Sequence, residues 1–227
     1  MNKKFEFTGE TKAILGNTLH RIRALISFGE VGAGELGGWI EKEENLDASG
    51  NAWVSGNAQV SGNAQVSGNA WVSGNAQVSG NAQVSGNAQV YGNAWVSGNA
   101  RVSGNARVFV NAWVFGNARV FGNARVYGDA RVYGDACVYG DARVYKRGAI
   151  FWISNVGSRD DTATFFACRD KKIKVIVGCF FGDLDAFAAA VQKTHGDNTH
   201  AKVYRLAIET AKERIKMDDM PEESNDG

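Results

Sequence analysis

Across residues 51–145 the hydrophobic positions return with a period of six, in the pattern N-A-x-V-S/Y/F-G. Valine holds every sixth position from Val54 to Val144 and alanine every sixth from Ala52 to Ala142, sixteen of each with no insertion. An α-helix of about 3.6 residues per turn would smear those valines around its axis. A flat sheet of hairpins fails too, because Gly and Asn return before a strand of ordinary length is complete. A three-sided coil fits: a short strand x-V-S, a corner built on Gly-Asn, then the next strand. Gly supplies positive φ at the corner, with Asn the next most tolerant residue. Valine and alanine fill the narrow interior, and the residues on either side of each valine face outward by strand alternation. Three hexads make a coil of 18 residues, and Trp53 with Trp71 and Trp95 with Trp113 keep that spacing. The pattern predicts a mainly β protein whose residues 48–150 form a parallel β-helix of triangular coils, a rod about 27 Å long.

The flanks lose the period. A β-helix ends in open strand edges, so both ends call for caps. Residues 1–47, with KFEFT, LHRIRALISF and GELGGWIE, predict two or three short strands forming an N-terminal β cap. Residues 151–216 carry three strand-like runs, IFWISNV, TATFFAC and KIKVIVGCF, then helical stretches near 184–194 and 201–216. Together they predict a small C-terminal α+β domain, followed by a disordered acidic tail over 217–227.

The hexad, as in Val54-Ser55-Gly56-Asn57-Ala58-Gln59, resembles the hexapeptide-repeat superfamily, in which an aliphatic residue is followed four positions later by a small one. That resemblance implies a left-handed β-helix. It implies no single activity, because the superfamily includes acyltransferases, carbonic anhydrases and structural members. GETK, TLHRIRAL, GELGGWIE, GSRDDT and GCFFGDLDAF, taken with the hexads, resemble a group of phage and prophage proteins, over nearly the whole chain.

Net charge is +1, which makes no global case for nucleic acid or an acidic membrane surface. The N-terminus lacks the apolar core of a signal peptide, and no run approaches the length of a membrane span. The expectation is a soluble protein of a bacterial host's cytoplasm, and its three cysteines, Cys137, Cys168 and Cys179, fit no metal spacing. Residues 48–145 contain no His, Lys or Glu, so the coils offer no general base for acyl transfer and no histidine for a metal. His20, His195 and His200 lie in the flanks. His195 beside Asp197 reads as a link between helices, with Gly196 ending one and Asp197 or Asn198 capping the next. Cys179 has no histidine near it in sequence, and GSRDDT reads as a polar turn in which Arg159 is a minor candidate for ligand or partner contact. The expectation is no catalytic residue, no cofactor and no metal.

The outer surface is more informative. One face carries Trp53, Trp71, Gln89, Arg107, Arg125 and Arg143 before the valines, and Ser55, Ser73, Tyr91, Phe109, Tyr127 and Tyr145 after them. Early coils are Gln and Ser; late coils are Arg and aromatic, with Asp129, Asp135 and Asp141 at nearby corners as partners for the arginines. Arg, Tyr and Trp are the residues that interfaces favour. Trp53, Trp71, Tyr91, Arg107, Phe109, Arg125, Tyr127, Arg143 and Tyr145 therefore form the candidate interaction surface. The expected function is that of a non-catalytic scaffold or binding protein, acting by self-association, a trimer being favoured, or through another protein. The alternatives are a binder of an anionic ligand such as a nucleotide or nucleic acid, and a hexapeptide-repeat acyltransferase.

Overall fold

A computed structural model describes residues 3–14, 16–217 and 220 of the 227-residue chain. Among them, sixteen two-residue strands, from Trp53–Val54 to Arg143–Val144, form a parallel β-solenoid with three sides. The first side stacks the strands at 59–60, 77–78, 95–96, 113–114 and 131–132, the second those beginning with Trp53–Val54, and the third those beginning with Gln65–Val66. Every partner is 18 residues away, with Trp53 paired to Trp71 and Trp95 to Trp113. All sixteen hexad valines and all sixteen hexad alanines are buried.

Hexads before the last coil send three backbone bonds to the next coil. Gln59, Ser61 and Asn63 donate their N–H groups to the carbonyls of Ala76, Val78 and Gly80 at 2.9, 3.0 and 2.7 Å. The bonds all point one way, so the first coil is left with open carbonyls and the last with open N–H groups. At the corners glycine takes positive φ, as Gly56 does at 62°, with Val110 in its place at one corner. The hexad asparagines do not share that conformation. Their work is different: Asn63 Nδ2 donates to Asn81 Oδ1 at 3.2 Å, Asn81 to Asn99 at 3.0 Å and Asn99 to Asn117 at 3.1 Å, one of three such ladders along the edges of the prism.

Each end is closed by a cap, and the N-terminal one matches that polarity. Strands β1 (Phe5–Ile14), β2 (Asn17–Ala24) and β3 (Leu36–Ile40) form an antiparallel sheet that continues the first side, with β3 parallel to Gln59–Val60. The cap brings donors to the open carbonyls: Trp39 N to Ala58 O at 2.9 Å, Glu41 N to Val60 O at 3.0 Å and Asn45 Nδ2 to Ala64 O at 2.8 Å. The paired glycines of GELGGWIE are required here, since a Cβ on Gly37 would lie 2.8 Å from Val54 O and one on Gly38 2.7 Å from Ala58 O. At the other end, an antiparallel sheet of Ile150–Val156, Asp161–Ala167, Ile173–Val177 and Phe180–Asp183 offers acceptors, Thr164 Oγ1 taking Cys137 N–H at 3.0 Å.

The run KIKVIVGCF thus divides into two strands, because Gly178 turns the chain at φ 55°. Helices α1 (Leu184–His195) and α2 (Thr199–Arg214) pack on this sheet through Phe187 and Tyr204, rings 5.3 Å apart. Gly196 ends α1, and of the two expected caps it is Asn198 whose side chain accepts the Ala201 N–H of α2. No helix among the described residues is long and apolar enough to cross a membrane. The tail expected over 217–227 lies outside the described residues except for Met217 and Met220.

Candidate interaction surface

The second side collects all nine predicted surface residues, but the caps divide them. Trp53 is fully buried beneath the N-terminal cap, its ring meeting Phe28 edge-on at 5.4 Å. Arg143 is only 3 % exposed, its guanidinium turned in to the carbonyls of Asn123, Asp141 and Ala142 at 3.1–3.3 Å. Tyr145 is 7 % exposed and donates its hydroxyl proton to Lys216 O at 3.2 Å. These three were expected to face solvent and instead belong to the seams with the caps. A repeat pattern fixes which way a side chain points, yet it carries no information about which coil a non-periodic flank will cover.

The six that remain, Trp71, Tyr91, Arg107, Phe109, Arg125 and Tyr127, are half-buried. Much of that burial is mutual: Tyr91 stacks on Phe109 at 4.9 Å with planes 7° apart, and Phe109 on Tyr127 at 5.0 Å and 3°. The coil rise matches ring-stacking distance, so one aromatic per coil builds a continuous ladder. Trp71 donates its indole N–H to Ser55 Oγ at 3.2 Å.

The other two sides carry shorter ladders that run into the C-terminal domain. Phe115 stacks on Tyr133 at 5.0 Å, and Tyr133 meets Trp152 edge-on at 4.5 Å. Phe121 lies 4.6 Å from Tyr139, which meets Phe181 at 5.0 Å. The late aromatic residues are therefore partly the seat on which the C-terminal domain rests. Asp129, Asp135 and Asp141, expected as partners for arginines, terminate the asparagine ladders, accepting from Asn111, Asn117 and Asn123 at 3.4, 2.9 and 3.4 Å. An end position has to accept but has no further amide to donate to, and an acceptor-only carboxylate suits it.

Seven windows of the chain, 58–74, 64–80, 82–98, 88–102, 100–116, 112–128 and 124–140, match the model of the YdcK β-solenoid repeat. The coils are similar to that repeat. No curated protein matches the chain. The YdcK-type windows fall inside the rod and include both the Gln/Ser coils and the Arg/aromatic coils, so the similarity speaks for the scaffold and not for either cap.

In the C-terminal domain, residues that are distant in sequence share a cleft of about 480 Å³: Arg159, Asp161, Cys179, His195 and Tyr204 all line it. Arg159 Nε lies 3.5 Å from Asp161 Oδ2, and Gly178 leaves room for the guanidinium, since a Cβ there would come within 2.8 Å of it. Burial first, then Asp161, raises the Tyr204 hydroxyl pKa above its ordinary value, with Arg159 opposing. That Cys179 and His195 line one cleft was invisible in sequence because it depends on how α1 folds back over the sheet. Burial also pushes the Cys137 thiol up to about 11 and the Cys168 thiol up to about 12, so neither is a ready nucleophile. Among the described residues, no group of three or more His, Cys, Asp or Glu is placed to hold a metal ion.

Proposed function

We propose that this protein acts without chemistry of its own, as a rigid scaffold that associates sideways with copies of itself, in side-by-side trimers, or with another protein. The observation that carries this reading is that both ends of the solenoid are covered by caps while its sides are not. Open strand edges invite end-to-end growth, and here the N-terminal cap and the C-terminal domain stand over them, bonded to the end coils. What remains for recognition is the flat lateral ladder from Trp71 to Tyr127 on the second side, with its pairing of arginine and aromatic rows. The lack of His, Lys and Glu over 48–145 weighs against acyl transfer on the coils. The resemblance to phage and prophage proteins suits a component of an assembly.

The test replaces Arg125 and Tyr127 by the Gln and Ser that early coils use, in one double variant. Both flank a buried valine and neither is core, so melting should change little. Sedimentation equilibrium should show an oligomer for the parent chain and a shift towards monomer for the variant at about micromolar concentration, since central interface anchors are worth about 2 kcal/mol or more. The same mass distribution for both chains would end the self-association reading.

A further inference from the structure

On the first side, where the rod meets the C-terminal domain, lies a groove of about 550 Å³ lined by Arg131, Arg147 and Arg214 and by the rings of Phe115, Tyr133 and Trp152. The three arginines come from three separate elements: the last coil, the short 3-10 helix Arg147–Ala149 and the final residue of α2. Among the described residues no carboxylate lines the groove itself, and Asp129 lines the neighbouring cleft that Arg131 and Arg147 also border. Taken singly, two of them have local reasons to be there. Arg131 rests on Trp113, its guanidinium carbon 4.5 Å from the ring, and Arg214 offsets the carbonyl end of a helix. Those reasons do not explain why both converge with Arg147 on one cavity, where three guanidinium groups stand against Asp129 in the neighbouring cleft. Guanidinium groups stay charged at any ordinary pH, so their convergence carries a repulsion that a bound anion removes. Their planar forks match phosphate oxygens two at a time. Beside them Tyr133, stacked on Phe115 and met by Trp152 at 90°, is 44 % exposed and gives the groove an aromatic wall. A planar heterocycle packs against such an aromatic wall irrespective of its hydrogen-bonding edge.

We propose that this groove binds a nucleotide unit, phosphate on the Arg131, Arg147 and Arg214 guanidinium groups and base against Tyr133. The site is on a different side from the lateral ladder, so it is independent of the assembly proposed above.

The experiment titrates the full chain by calorimetry with adenosine monophosphate, adenosine, inorganic phosphate and a single strand of about ten thymidylates. Adenosine monophosphate should bind with Kd below about 1 mM, and loss of either the base or the phosphate should weaken binding by roughly tenfold or more. The exposed pair Arg147→Ala with Arg214→Ala should raise Kd by about tenfold at unchanged melting temperature, and Tyr133→Ser, the residue of the early coils, should raise Kd by a similar factor. The Arg125→Gln, Tyr127→Ser variant should bind like the parent, which separates failure here from failure of the lateral interface. Tighter binding of the strand, with affinity falling steeply in salt, would assign the nucleotide unit to nucleic acid; equal or weaker binding would assign it to a free nucleotide. Absence of binding by both, binding indifferent to the arginine and Tyr133 variants, or phosphate binding as well as the nucleotide would overturn the proposal.

Discussion

Lys4 shows how the direction of the solenoid's hydrogen bonds reaches down to one side chain. Its ammonium group is buried at the open carbonyl end, donating to Ala52 O at 2.7 Å and Asp47 O at 3.1 Å, and it stands 4.5 Å over the Phe28 ring. A cation is suited to an end rich in carbonyls, but burial outweighs the help from Asp47 and pulls its pKa from 10.5 down to about 8. The unfolded chain keeps that proton up to its ordinary pKa of 10.5, whereas the folded chain sheds it near 8. Between those values the unfolded state holds more protons, so the Lys4 contribution to stability is least below pH 8, rises through the interval and is complete above 10.5. Urea unfolding of the parent and of Lys4→Met across this range should give a stability difference that grows in the parent's favour as pH rises. A difference independent of pH would mean that the ammonium is not desolvated.

At the scale of the corner, one departure from the hexad is informative. Val110 stands where glycine stands elsewhere, with φ 62° and 46 % of its surface exposed. A β-branched residue is strained in the left-handed region, and its exposed side chain recovers little by burial. The next rung is stretched as well, Asn111 N reaching Gly128 O at 3.2 Å where Asn99 N reaches Gly116 O at 2.8 Å. Val110→Gly should therefore raise stability by about 1 kcal/mol, less what the freer glycine gains in the unfolded chain, seen as a higher urea midpoint at unchanged slope. The sequence showed the corners and the interior plainly because each repeats its demand sixteen times, so Val54, Ala58 and Gly56 could be assigned with no knowledge of the ends. The corner asparagines were read as conformational when they are ladder rungs, since a tolerance for turns and an amide that bonds to its own kind call for the same residue. Trp53, Arg143 and Tyr145 were read as surface for another reason: they belong to the period, and what buries them does not. Of the candidate surface, Trp71 through Tyr127 was legible. The Arg131 groove and the Arg159 cleft were not, because each needs residues from elements that only the folded caps bring together.

For the whole molecule, the question is whether rod and C-terminal domain hold together as one unit. Solenoid stability is ordinarily the sum of neighbour-to-neighbour contacts, so an end can fray while the middle stays intact. Here three aromatic columns cross the junction: Tyr133 to Trp152, Tyr139 to Phe181, and Tyr145 through its hydroxyl to Lys216 O. The second crossing is the most isolated. The Phe181 ring seats on the corner at Gly140, where an added Cβ would lie 3.0 Å from it, and Phe181 is itself 40 % exposed, so it serves the seam more than the core of its own domain. Replacing Tyr139 and Phe181 together by serine removes one column without touching an inward valine. An aromatic pair contributes about 1 kcal/mol beyond its buried area, enough for about a fivefold change in a local opening equilibrium. Hydrogen exchange followed by mass spectrometry should then show faster exchange at 137–142 and across 161–183, where Cys137 N donates to Thr164 and Arg169 N to Asp141 O, while peptides from 59–102 keep their protection. Faster exchange along the entire rod would mean that the columns stabilise the coils themselves. No change at either place would mean that the backbone bonds alone fasten the domain, and that the late aromatic residues are free to serve an external partner.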